Sequence, residues 1–134
     1  EIENKKRILV VDDNGTTLRT MKAMLEDTYE VAVAISGAQA MTSIGKKRPD
    51  LILLDYEMPI CDGKMTLEMI RADDDMKNIP VVFLTAVNDR ANIESVLKLK
   101  PAGYFLKPAV KDRLLAEIEK ILRAVPDTTV LDEN

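Results

Sequence analysis

Five polar side chains stand where short apolar runs end. Asp12 and Asp13 follow Arg7–Val11, Asp55 follows Leu51–Leu54, Thr85 closes the run from Pro80, and Lys107 follows Tyr104–Leu106. Taken singly, each has an ordinary reading: an Asp after a strand is commonly a turn residue or a helix cap, and a lone Lys a solvated surface charge. Their joint placement points to chemistry. Three carboxylates gathered in one cleft repel, and two unit charges ~4 Å apart cost about 4 kcal/mol at an effective dielectric of roughly 20. Either one of them protonates or a cation joins them. Oxygen ligands without histidine or a nearby thiol favour a hard divalent ion, Mg²⁺ before Ca²⁺. Such an ion keeps positions open for phosphate oxygens. With a lysine cation and a threonine hydroxyl beside it, the cleft holds what phosphoryl transfer needs: charge neutralisation, a hydrogen-bond donor and a carboxylate acceptor.

These residues share a cleft only if the runs are strands of one sheet. Leu51–Leu54, apolar throughout and bounded by turn residues, reads as a strand buried on both faces, which places Asp55 at its carboxyl end, where open α/β sheets bind ligands. Between the runs lie amphipathic helices. Thr16 to Glu26 puts Leu18, Met21, Met24 and Leu25 on one face, with Asn14 as N-cap. Ser36 opens a second helix, with Gln39 completing a capping box, after a second strand over Tyr29–Ile35. Asp62 and Gly63 cap a third helix carrying Leu67 and Ile70. A fourth starts near Asp89, with Ile93, Val96 and Leu97 facing inward, and a fifth runs from Val110 to Arg123. Strand and helix alternate five times, which predicts an α/β fold: a doubly wound parallel sheet with helices on both faces.

Composition narrows the function. The chain has 134 residues, enough for one domain, with a formal net charge of −4 and no Trp. That balance argues against direct nucleic-acid binding. There is no histidine, which excludes Ser-His-Asp and Cys-His nucleophile systems and every His-ligated zinc or haem site. Cys61, the single cysteine, forms no disulfide framework and fits a reduced, cytoplasmic setting. No stretch approaches transmembrane length, and the apolar run after Lys5–Arg7 is too short for a signal peptide, so no membrane association is expected. The acidic run Asp73–Asp75 lacks alternating ligand spacing and reads as a solvated loop.

Asp12-Asp13, Asp55 with Met58-Pro59 and Asp62-Gly63 behind it, Thr85-Ala86 and Lys107-Pro108 occur in the order and spacing of the receiver domain of two-component response regulators. The chain resembles that family from about Lys6 to Arg123. The resemblance implies a flavodoxin-like (βα)5 fold with strand order 2-1-3-4-5, in one receiver domain over residues 1–125, leaving 126–134 as a C-terminal tail or the start of a linker. It makes Asp55 the phosphoacceptor, Asp12 and Asp13 the acidic pair that places Mg²⁺, and the backbone carbonyl of Glu57 a further metal ligand. Lys107 would contact the phosphoryl group, and the Lys107–Pro108 peptide would be cis. It also implies a switch: Thr85 swings to the phosphoryl group, Tyr104 rotates inward, and the surface of the fourth helix, fifth strand and fifth helix changes its partner preference. The implied phosphoryl donor is a sensor histidine kinase or a histidine phosphotransfer protein. On this reading the chain is regulatory, catalysing only its own phosphorylation and dephosphorylation.

Some positions depart from the commonest family pattern. Ala109 stands after Lys107-Pro108 where many relatives carry Phe, and Glu57 and Val87, each two residues beyond a key residue, occupy positions that tune phosphoryl lifetime. The rival chemistry is a Mg²⁺-dependent aspartyl-phosphate hydrolase, but such enzymes carry a second Asp two residues after the nucleophile, where this chain has Glu57. A flavin or nucleotide binder is disfavoured because Asp12-Asp13 would repel a phosphate at Asn14–Thr17. Homodimerisation through the fourth helix, fifth strand and fifth helix is a further expectation, with Lys98, Lys111, Asp112 and Arg113 available to pair across it.

Overall fold

Ten elements alternate along the chain: β1 (Arg7–Val11), α1 (Gly15–Leu25), β2 (Glu30–Ala34), α2 (Gly37–Lys46), β3 (Leu51–Leu54), α3 (Gly63–Ala72), β4 (Val81–Thr85), α4 (Arg90–Leu97), β5 (Gly103–Leu106) and α5 (Lys111–Ala124). The computed structural model describes residues 5–86 and 90–124, with the backbone alone for Thr85 and residues 90–93. The strands form one sheet in the order β2-β1-β3-β4-β5, and every neighbouring pair is parallel. This is the expected doubly wound topology.

The side-chain alternation of the strands divides the core in two. Ile8, Val10, Leu51, Leu53, Val82 and Leu84 face α1 and α5, meeting Leu18, Met21, Leu25, Leu114, Ile118 and Ile121. Leu9, Val11, Ile52, Leu54, Val81 and Phe83 face the opposite layer, meeting Ala40 and Ile44 of α2, Leu67 and Ile70 of α3 and Val96 of α4. The four residues of β3 have no exposed surface at all, and each such side chain contributes about 1.5–3 kcal/mol. A strand covered on both faces has no use for polar alternation, which is why its sequence is apolar throughout.

Local chemistry starts the helices where expected. The Asn14 side chain accepts from the N–H groups of Thr16 and Thr17 at 2.9 and 3.2 Å, Ser36 from Gln39 at 3.0 Å, and Asp62 from Met65 at 2.9 Å. Such caps stabilise by about 1 kcal/mol each. The capping box at Ser36 is offset: Gln39 Oε1 takes the N–H of Ile35, at 2.7 Å, one residue earlier than the motif predicts.

Two expectations about packing need correction. Leu97 is half exposed rather than inward-facing. The short α4 presents a single stripe to the sheet, Val96 occupies it, and the next residue lies about 100° further round the helix. The second strand is also shorter than Tyr29–Ile35, with Ile35 and Val33 substantially exposed, because β2 is an edge strand with one neighbour. The expected start of the fourth helix at Asp89, the side chain of Ile93 and the tail from Pro126 lie outside the described residues. Among those described, no helix is long and apolar enough to cross a membrane.

Candidate functional site

Strand register assembles the site. Val11 pairs with Leu54, and Leu54 with Phe83, so Asp12 and Asp55 leave the sheet side by side. One more ladder bond fixes each of them: Asp55 N–H donates to Val11 O at 2.9 Å, and Asp12 N–H to Ala34 O at 3.0 Å. On the far side of β4, Leu106 pairs with Thr85, which brings Lys107 to the same edge.

Asp12, Asp13 and Asp55 each offer an oxygen, and these oxygens all lie within 4.8 Å of one another. Asp12 and Asp55 are buried, at 2 % and 5 % exposure, while Asp13 opens to solvent. Lys107 Nζ donates to Asp12 Oδ2 at 2.5 Å and stands 3.4 Å from Asp55 Oδ1. The other Asp12 oxygen accepts the N–H of Asn14 at 2.9 Å. One ammonium group thus meets two of the three carboxylates, and the cleft carries excess negative charge.

The titration of Asp55 registers that excess. Burial, and then the charge of Asp12, push its carboxyl up from 3.8 to about 6, with Lys107 offsetting only part of the rise. Burial alone would lower the Lys107 ammonium, but its hydrogen bond to Asp12 and the charges of Asp55 and Asp12 outweigh that, and its pKa is raised. Three clustered carboxylate oxygens, with no nitrogen or sulfur donor among them, suit an oxygen-seeking divalent cation better than zinc or copper. A cation there would offset the burial and repulsion that raise the Asp55 carboxyl.

The remaining candidates fall around this centre. Thr85 ends β4 with its backbone at the site edge; its side chain lies outside the described residues, as does Val87. Glu57 sits in the β3–α3 loop with an exposed side chain, and its carboxylate is not among the clustered three. The Lys107–Pro108 peptide is cis, and Ala109 packs against the α1/α5 layer. Tyr104 is half-buried, its ring 6.5 Å from that of Phe83.

Sequence reasoning missed two neighbours of the site. Gly63 is more than a helix opener: a methyl group there would strike the Asp55 carbonyl, the Tyr56 Cα and the edge of the Phe83 ring. Glycine lets the start of α3 press directly on the loop that carries Asp55, and Gly63 N–H donates to Tyr56 O at 2.7 Å. The pairing of Asp62 with Gly63 is the available signal, because a glycine directly after a capping Asp marks close backbone approach. Tyr56 is the second. Its ring meets Phe83 edge-on at 6.2 Å, and nothing in the sequence singles it out.

Comparison with known proteins agrees with this fold. Residues 8–119 match the family described as response regulator receiver domain. The chain is similar to the probable transcriptional regulator ycf27 of Cyanophora paradoxa, with 36% identity over 128 residues, 95% of this chain and 52% of the relative. It is also similar to the transcriptional regulatory protein PrrA of Mycobacterium tuberculosis, with 36% identity over 118 residues, 87% of this chain and 50% of the relative. The chain therefore spans about half the length of these curated relatives. Among solved structures, the signal receiver domain of a signal transduction histidine kinase from Syntrophus aciditrophicus superposes with a TM-score of 0.83 at 29% identity, covering 90% of this chain and 92% of that one.

Proposed function

The chain belongs to the response regulator receiver domain family, and from that premise we propose that it is a phosphorylation-dependent switch whose acceptor is Asp55. The observation that carries the reading is the convergence of Asp12, Asp13, Asp55 and Lys107 on one acidic edge with Asp12 and Asp55 buried. In the proposed step the phosphorus–nitrogen bond of a phosphohistidine breaks, the imidazole nitrogen keeps the electron pair, and a phosphorus–oxygen bond forms to Asp55 Oδ. This sequence contains no histidine, so the donor imidazole belongs to a partner of the sensor histidine kinase or histidine phosphotransfer class.

Asp12 and Asp13, with Asp55 and the carbonyl of Glu57, would hold Mg²⁺. When bound, the ion supplies neutralisation of the phosphoryl oxygens. Lys107 stands within reach of Asp55 and would take up charge on the same group, a role in which fixed donors act most strongly where water is scarce. Asp12 holds that ammonium in place through its short bond. Thr85 would donate its hydroxyl to the transferred group, and Tyr104 would follow it inward. The added group brings about −1.5 to −2 charges, enough to rebalance an edge already in excess.

The proposed output is the face formed by α4, β5 and α5. Leu97, Leu106 and Val110 are exposed there, and a homodimer through this face is the arrangement they favour. Equal sedimentation with and without a phosphoryl mimic would refute dimerisation driven by the switch.

The switch itself is tested by ¹⁹F NMR with beryllium fluoride, which mimics a phosphoryl group on a carboxylate. A bound signal that needs Mg²⁺ and is missing from Asp55→Ala supports the reading. Binding indifferent to both Mg²⁺ and Asp55 overturns it.

A further inference from the structure

Tyr56 follows Asp55 directly, and its ring contacts lead away from the acidic edge. It meets Phe83 edge-on, with centroids 6.2 Å apart and planes at 62°. Phe83 in turn meets Tyr104 at 6.5 Å and 46°. Phe83 and Tyr104 are register partners across β4 and β5, so their side chains stand side by side on the face that also carries α2, α3 and α4.

The three rings are not equally free to move. Phe83 has no exposed surface, and its ring edge lies against Gly63, where there is no room even for a methyl group. The same glycine presses on the Cα of Tyr56 and the carbonyl of Asp55. A shift of the Asp55–Tyr56 backbone therefore cannot be absorbed toward α3. Tyr104, half-buried like Tyr56, sits on the edge strand of the sheet, where it has a strand neighbour on one side only. Close-packed interiors respond to such displacements by discrete repacking rather than by smooth deformation.

We propose that Tyr56 is a positioning residue that transmits the state of the Asp55 loop to Tyr104 through the ring of Phe83. The inference rests on the receiver reading and deepens it, adding an aromatic route from acceptor to output face that does not pass through the Thr85 hydroxyl. The contact to Phe83 is made by the ring of Tyr56, while its phenol also acts on Tyr104 by charge, so a variant that keeps the ring and lacks the phenol oxygen tells the two apart.

The test is NMR of the chain with ¹³C-labelled tyrosine rings, titrated with beryllium fluoride and Mg²⁺. Tyr29 packs in the opposite core layer and serves as an internal control. In the native chain Tyr56 and Tyr104 shift and Tyr29 stays put. In Tyr56→Leu the mimic still binds, by its own ¹⁹F signal, but the response of Tyr104 falls about twofold or more; Tyr56→Phe restores it. If Tyr56→Leu does not fold, Tyr56→Met removes the ring with less loss of volume and carries the same expectation. A native-sized Tyr104 response in the ringless variant overturns the coupling and leaves the receiver reading intact. A native chain that never binds the mimic overturns the receiver reading, and the coupling with it.

Discussion

The two edges of the sheet carry similar residue types in opposite balance. At the amino-terminal edge, Glu30 pairs with Arg7 and with Lys47, the latter at 3.0 Å, and Asp50 accepts the Arg7 N–H at 2.7 Å. An open recess of about 590 Å³ lies among these residues, yet Glu30 has two basic partners and Asp50 an N–H partner. At the carboxyl edge, Asp12 and Asp55 share Lys107 while Asp13 adds a third clustered carboxylate. The titrations point in opposite directions. The hydrogen bond from Lys47 helps hold the Glu30 carboxyl below its usual range, while burial and the Asp12 charge push Asp55 up to about 6. Charge left uncompensated, rather than cavity size, marks the edge where the proposed chemistry takes place.

The sharpest way to break this comparison is to delete one lysine from each edge. Lys107→Met should slow phosphorylation by acetyl phosphate about 10²–10³-fold, the cost typical of losing one fixed donor at a developing charge. Lys47→Met should leave that rate at the native value. Similar rates for the two variants, read by intact mass against time, would erase the distinction.

Stability should respond next, with opposite signs at the two edges. Asp55 has its folded pKa raised, so its ionised form opposes folding. Its protonated form fits the fold fully below the unfolded value of 3.8, and that stability is lost as pH rises through about 6. The gap corresponds to about 3 kcal/mol at most. Asp55→Asn, neutral throughout, should therefore unfold at higher urea than the native chain at pH 7 in metal-free buffer. The gain should fade toward pH 4 and narrow on adding Mg²⁺. A gain that ignores pH would contradict the burial-and-repulsion account.

The smallest effect is expected at the amino edge. The Glu30 carboxyl is lowered, so its contribution is present above its unfolded pKa and is lost as pH falls through the folded value. Glu30→Gln should bring a slight, salt-sensitive loss at neutral pH, as exposed pairs do. A large loss that survives high salt would show the amino edge to be more than a solvated cluster.

How much of this was legible in the sequence follows from how local each signal is. Strand ends, caps and helix faces depend on a few neighbouring residues, so Asn14, Ser36, Asp62 and the apolar run of β3 announced themselves. The convergence of Asp12, Asp55 and Lys107 required strand order, which the spacing of the motif supplied by resemblance. Burial around the sheet edges was harder. Leu97 satisfies a helical period yet lies off the one stripe that α4 can bury, and Ile35 lies just past the end of an edge strand, a boundary periodicity cannot recognise. Contacts between rings from different strands, such as Tyr56 with Phe83, leave no local trace. Nor does the sequence reveal that Ile60 adopts a φ of 71°, a region β-branched residues avoid.

The central claim is that the acidic edge accepts a phosphoryl group on Asp55, and intact mass after incubation with acetyl phosphate tests it most directly. The account predicts a gain of one phosphoryl group that requires Mg²⁺ and is absent from Asp55→Asn. No gain in any condition, including with a phosphohistidine donor, or an equal gain in the Asp55→Asn chain, would contradict it.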